Sequence, residues 1–223
     1  MKSSFPVMCS ACREWFPVNF TGTTVPESTQ CPKCNSPIYL VPPLGNVVAM
    51  AILSRAHTEL QNEDWTLTIV LGAMGVECEL VFLFMKWSRL DYEILSNRDA
   101  TDAEEEAFEK QWRDFGIAAK IEKVSGLLVG KSFDSFLSEN SGLLQEVRTK
   151  YPTFDTTKSL KNLFIEGLFR KRNKVVHSGQ IDFQKTDAEM CFTLAMTLYG
   201  ILIAMDRQRI STFDAQLSAG RKP

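Results

Sequence analysis

Four of the chain's six cysteines stand in two tight pairs, Cys9-Ser10-Ala11-Cys12 and Cys31-Pro32-Lys33-Cys34, with eighteen residues between them. Two C-x2-C pairs at that separation are what a tetrahedral four-thiolate metal site needs. A segment of about forty residues cannot bury enough core to fold without such a staple. Cys9, Cys12, Cys31 and Cys34 are therefore the expected metal ligands. Met1 to Pro6 holds one lysine and no apolar stretch, so no secretory leader is expected. Paired cysteines in a reducing, cytoplasmic setting point to metal rather than disulfides. Cys78 and Cys191 stand alone in apolar stretches, where a free cysteine usually acts as a small buried hydrophobe.

Around the pairs the chain favours strands and turns, with Pro6, Pro17, Pro26, Pro32, Pro37, Pro42 and Pro43. Trp15, Phe16 and Phe20 lie between the pairs and can form a hairpin with a minimal apolar cluster. This resembles a zinc ribbon. The zinc would be structural, because four thiolates leave no position for a substrate water. After Pro43, proline is absent until Pro152, and helical periodicity takes over. Two domains are expected: residues 1–43 as the four-Cys ribbon, and 44–223 as an all-α domain. The fold class is mainly α, a helical bundle preceded by a small β zinc ribbon.

Helices are predicted from about Asn46 to Glu63 and from about Asp64 to Leu95. A third opens at the Thr101-Asp102-Ala103-Glu104 capping box and runs to about Val129. Ser132 caps a fourth, ended near Tyr151 by Pro152. Asp155 or Thr156 opens a fifth, ended by Gly179. A second box, Thr186-Asp187-Ala188-Glu189, opens the last, which reaches about Asp214. Leu67–Trp87 is apolar but carries Glu77, Glu79 and Lys86. Met190–Met205 is uncharged but shorter than the roughly 20 residues of a membrane span. Both are expected to be buried core helices, with no membrane.

Hydrophobic residues make up 44% and charged residues 23% of the chain, and the net charge is -2. That excludes a generic polyanion binder, so any nucleic-acid contact must come from a local patch. Asp99–Asp114 holds seven acids against two bases, whereas Lys158–Lys174 holds six bases against one acid. The acidic run reads as a solvated helix start. The basic run ends in Phe169-Arg170-Lys171-Arg172-Asn173-Lys174-Val175-Val176-His177-Ser178-Gly179. Asn173 lies four residues before His177 and can support it, whereas residues five apart on a helix are separated by about 140°, so Arg172 needs a frayed helix end or a second protomer to converge on the same phosphate. By spacing alone, two readings stand side by side. Arg172 and His177 form a phosphate-handling pair, or His177 is a helix C-cap beside a solvated basic face.

At these residues the chain resembles the HEPN superfamily, whose motif is Arg, a polar residue, three more residues and His near the end of a late helix. Arg172, Asn173 and His177 match it, and Val175, Val176 and the following Ser178-Gly179 fit. The resemblance implies a metal-independent endoribonuclease, as in toxin–antitoxin and antiviral defence systems, leaving 2′,3′-cyclic phosphate ends. Arg172 and His177 would carry the reaction, with Asn173 orienting them and Arg170, Lys171 and Lys174 contacting RNA. It further implies a homodimer whose two motifs face one cleft, and a possible antitoxin or defence-system protein partner. A polar residue on an early helix often lies near that cleft, which selects Glu77. Glu77 and Glu79 point about 200° apart on one helix, so one of them can be buried but they are not a joint acid–base pair. Some members of the superfamily are inactive binding modules. The alternative here is therefore a non-catalytic adaptor that binds RNA or protein. Gly130-Lys131-Ser132 lacks a phosphate loop's first glycine and its preceding strand, and reads as a turn. His57, between Arg55 and Glu59, reads as a surface residue.

Overall fold

The computed structural model describes residues 2–9, 12, 15–21, 28–39, 46–96, 98–150 and 159–218. For 2–8, 15–21, 28, 39, 150 and 214–218 it describes the backbone alone. The N-terminal segment forms two antiparallel hairpins. Strand β1 (Lys2–Met8) pairs with β2 (Trp15–Thr21), with Met8 opposite Trp15. Strand β3 (Ser28–Gln30) pairs with β4 (Pro37–Tyr39), with Gln30 opposite Pro37. Each cysteine pair thus sits in the connection that closes one hairpin. The side chains of Trp15, Phe16 and Phe20, and the 43/44 boundary, lie outside the described residues.

Helix α1 (Val47–Gln61) opens at Asn46, whose side chain accepts from the Val48 N–H at 2.9 Å. It closes through Glu63 in the left-handed region, at φ 62°, where the Asp64 N–H donates to the Glu59 carbonyl. Asp64 then caps helix α2 (Trp65–Ser96), accepting from the Leu67 N–H at 2.9 Å. A three-residue turn makes α1 and α2 an antiparallel pair. Their contact is close at Gly75, where a Cβ would fall 2.6 Å from Leu53 Cγ.

Helix α2 is the axis of the bundle. Ile69, Ala73, Val76, Leu80, Leu83 and Trp87 recur at helical spacing and are at most 1% exposed. The expected third helix is two: α3 (Asp102–Arg113) and α4 (Ile117–Val129). Extended backbone at Gly116 breaks it, so that Trp112 of α3 and Ile121, Val124 and Leu128 of α4 all reach the core. At the head of α3, the Glu104 carboxylate accepts from the Thr101 N–H at 2.8 Å, as a capping box requires. The fourth helix also divides, into α5 (Phe133–Glu139) and α6 (Ser141–Lys150). Ser132 caps α5 as expected, but the Asn140 side chain donates to the Phe136 carbonyl and ends it. Tyr151, Pro152, Asp155 and Thr156 lie outside the described residues.

From Leu160 to Ser178 the chain is one rod in three parts: α7 (Leu160–Phe164), a π-helical turn (Ile165–Phe169) and α8 (Arg170–Ser178). Gly179, at φ 65°, ends it. Helix α9 (Lys185–Ser218) lies parallel to α2. A Cβ on Gly72 would meet that of Ala195, and Lys86 reaches Asp206 further along both helices. The carboxylate that reaches back at the start of α9 is Asp187, on the Gln184 N–H at 3.2 Å. The expected Thr186/Glu189 box therefore does not form, and both residues lie inside the helix. Asp206 is fully buried, accepting from Lys86 Nζ at 2.9 Å and Trp87 Nε1 at 2.6 Å. Both α2 and α9 are long and apolar enough to cross a membrane, by length and composition, α9 contrary to expectation. Their apolar windows are 56% and 50% buried within the fold.

Candidate functional site

The four paired cysteines converge. Their sulfurs all lie within 4.8 Å of one another, with Cys9–Cys34 and Cys12–Cys31 at 3.5 Å. Cys9 and Cys31 are buried, and Cys34 faces solvent. The second knuckle is a tight turn. Asn35, at φ 59°, donates its N–H to the Cys31 carbonyl at 2.9 Å, and the Cys31 N–H donates to Ser36. Hydrogen bonding with Ser36 lowers the Cys34 thiol to about 6, which favours the thiolate a metal needs. Closely placed cysteines on two hairpin ends can hold a metal ion.

The second cluster forms where α8 crosses the middle of α2. Arg172 donates to the Glu77 carboxylate and, at 2.9 Å, to Asn173 Oδ1. The expected cleft acid and the motif arginine, 95 residues apart in sequence, are therefore paired; their side chains are 30% and 20% exposed. The π-helical turn sets this pairing. One residue inserted into an α-helix rotates everything after it by about 100°. Without it, Arg172 would sit about 100° round the helix from its place opposite Glu77. Within the turn, the Gly167 carbonyl accepts from the Cys191 thiol at 3.1 Å. Burial pushes that thiol up to about 12, so it stays protonated.

His177 is exposed at the end of α8, without a hydrogen bond or ion pair among the described residues. Asn173 is bonded to Arg172 rather than to His177. Of the flanking cations, Arg170 pairs with Glu166 and Lys171 with Asp187. Lys174 is exposed and makes no ion pair among the described residues. With Lys161 on Glu122 and Arg172 on Glu77, four of the six bases of the expected basic run are neutralised within the fold.

Glu77 and Arg172 line an open depression of about 360 Å³ with Met74, Cys78, Val81, Trp112 and Lys120. Lys120, on α4, places its ammonium 5.0 Å from the Trp112 ring centre. Nothing in the sequence selects Lys120 or Trp112, since only the α3–α4 break brings them to α8. Glu79 points the other way, as the helical spacing requires. It is fully buried and accepts from the Asn46 N–H at 3.0 Å, while its Oε1 has no partner. Burial raises its carboxyl to about 7, opposed by the Asn46 N–H. His57 is half-buried rather than on the surface. It stacks on Phe192, with ring centres 5.5 Å apart, and burial lowers its pKa. Comparison of the chain with protein-family models, with curated proteins and with solved structures finds no significant match.

Proposed function

We propose that this chain is a metal-independent endoribonuclease of HEPN type, a cytoplasmic toxin or antiviral effector that acts as a homodimer. The observation that carries this reading is the partly exposed Arg172–Glu77 pair, with Arg172 on a helix that ends in an exposed histidine without a partner among the described residues. The 2′-OH attacks the adjacent phosphorus, so an O2′–P bond forms as the P–O5′ bond breaks. His177 takes the 2′-OH proton as general base and hands it to the departing O5′ as general acid. Arg172 holds the phosphate and its developing charge with a planar fork, and Glu77 and Asn173 orient that fork. Five residues along α8 separate Arg172 from His177 by about 140° and 7.5 Å. The two therefore serve one phosphate only across a second copy of the chain. Such a dimer is also the surface for an antitoxin or another defence protein.

The cysteine centre is assigned to structural zinc. Zinc–sulfur bonds of about 2.3 Å in a tetrahedron put sulfurs roughly 3.8 Å apart; two of the sulfur pairs stand at 3.5 Å and all lie within 4.8 Å, a spread that small adjustments close. When bound, the ion joins the two hairpins, and its closed shell leaves the chemistry to side chains.

The test is a mixed RNA pool incubated with the purified protein, with and without chelator, followed by end-group analysis. Cyclic phosphate ends that persist in chelator are expected, and His177→Ala should lose roughly a hundredfold or more of the rate. Cleavage by His177→Ala at the wild-type rate overturns the reading. The adaptor alternative then takes its place. It has its own support in the neutralised Arg170 and Lys171 and in the exposed Val176 and Ile181 beside His177.

A further inference from the structure

We infer that the depression between α2, α4 and α8 is a phosphate subsite, in which Lys120 joins Arg172 in holding a backbone phosphate of a single RNA strand. The inference rests on reading this face as an RNA site, and it adds a residue that the motif does not contain. Lys120 and Arg172 come from different helices and line one cavity. Glu77 neutralises one of the two charges, so the lining keeps a net positive charge on a chain that is negative overall. Lys120 makes no ion pair or hydrogen bond among the described residues; its neighbour is the face of Trp112. A cation over an indole face is held in place without being neutralised, so its charge stays free for an anion. Trp112 itself is only 7% exposed, so it is the wall behind the ammonium and not a surface on which a base stacks. Met74 and Val81 give the rest of the lining an apolar edge, suited to sugar rather than to a second phosphate. A cavity of about 360 Å³ lies at the small end of the roughly 300–1,000 Å³ typical of ligand sites. That size suits one nucleotide unit.

Binding is measured by fluorescence anisotropy with a labelled 2′-O-methyl RNA 12-mer, which cannot be cleaved by 2′-OH attack, across a salt series. Lys120→Ala should weaken binding about fivefold and reduce the magnitude of the salt slope by about 0.7, the release expected for one single-strand phosphate. Lys120→Arg should restore both. Glu77→Gln keeps an oxygen that can orient the Arg172 fork but removes the competing negative charge, so it should tighten binding by about threefold; a purely structural role for these residues would not give opposite signs. Competition by AMP at low millimolar concentration, with the strand still favoured, separates a strand site from a free-nucleotide site. AMP binding that matches the strand overturns the assignment. An unchanged affinity and slope for Lys120→Ala, or no binding by the wild type at low salt, also overturns it. Cleavage of unmodified RNA by the wild type is read in parallel. Cleavage with an indifferent Lys120→Ala discards the subsite and keeps the nuclease. The expected binding losses without cleavage keep the subsite and discard the nuclease.

Discussion

Two carboxylates on α2, two residues apart, have opposite fates, and both can be measured. Glu79 is enclosed, with one oxygen on the Asn46 N–H and the other without a partner. Its folded pKa of about 7 stands above the ordinary value of 4.5. A raised acid contributes stability that is present below the unfolded pKa and lost as pH climbs through the folded one. The wild type should therefore be less stable at pH 8 than at pH 5 by on the order of 3 kcal/mol from this group. Glu79→Gln should flatten that dependence in urea melts; a parallel pH profile for the two proteins would count against the burial argument. Glu77 faces the depression instead and holds Arg172. Arg172→Lys should lose most RNA cleavage while its thermal melting stays near wild type, because a point charge cannot hold two oxygens in one plane. Full activity in that variant would remove Arg172 from the chemistry. At this scale the sequence was legible where spacing alone decides. The two carboxylates diverge as 200° of helix requires, and the four cysteines meet as their spacing demands. It was not legible for Asn173, because either neighbour could take its amide and only the packing of α8 on α2 selects Arg172.

At the scale of elements, starts were easier to read than breaks. Asn46, Asp64 and Ser132 are polar side chains whose hydrogen bonds are local, so the sequence places them correctly. Gly116 and Asn140 interrupt what reads as one continuous helix each: extended backbone at Gly116 makes the first break, and the Asn140 side chain on the Phe136 carbonyl makes the second. The π-helical turn carries no local signal at all. Its surroundings are distant in sequence: Gly167 packs under Leu194, where a Cβ would lie 2.4 Å from Leu194 Cδ1, and its carbonyl accepts from the Cys191 thiol. The same close packing makes Gly75 a sensitive point in α2. Gly75→Val would push into Leu53, and should destabilise the fold by about 1–3 kcal/mol through overpacking. A chemical melt checks this, and the added Leu53→Ala change should recover part of the loss. An unaltered midpoint for Gly75→Val would mean that α1 yields where the structure has it fixed.

For the whole molecule, two modules of different physics share one chain. Freshly purified protein should contain one zinc per chain by elemental analysis. Its removal should leave the helical signal in circular dichroism nearly intact, since the bundle core holds no cysteine ligand. Protein free of zinc on isolation would dismiss the ribbon assignment. Light scattering should give about twice the 25.2 kDa chain mass; a monomer at every concentration would dismiss catalysis across two copies. The parallel docking of α9 on α2 has a consequence in time as well as in space. Asp206 must find Lys86 and Trp87 across some 120 residues, and contacts that distant form late in folding. During synthesis, α2 is complete long before its partner exists, so a broad stripe of leucine, isoleucine and tryptophan waits uncovered until α9 has been made. A chain stopped before Lys185 would lack the α9 cover, and the α2 surface left bare would be prone to association.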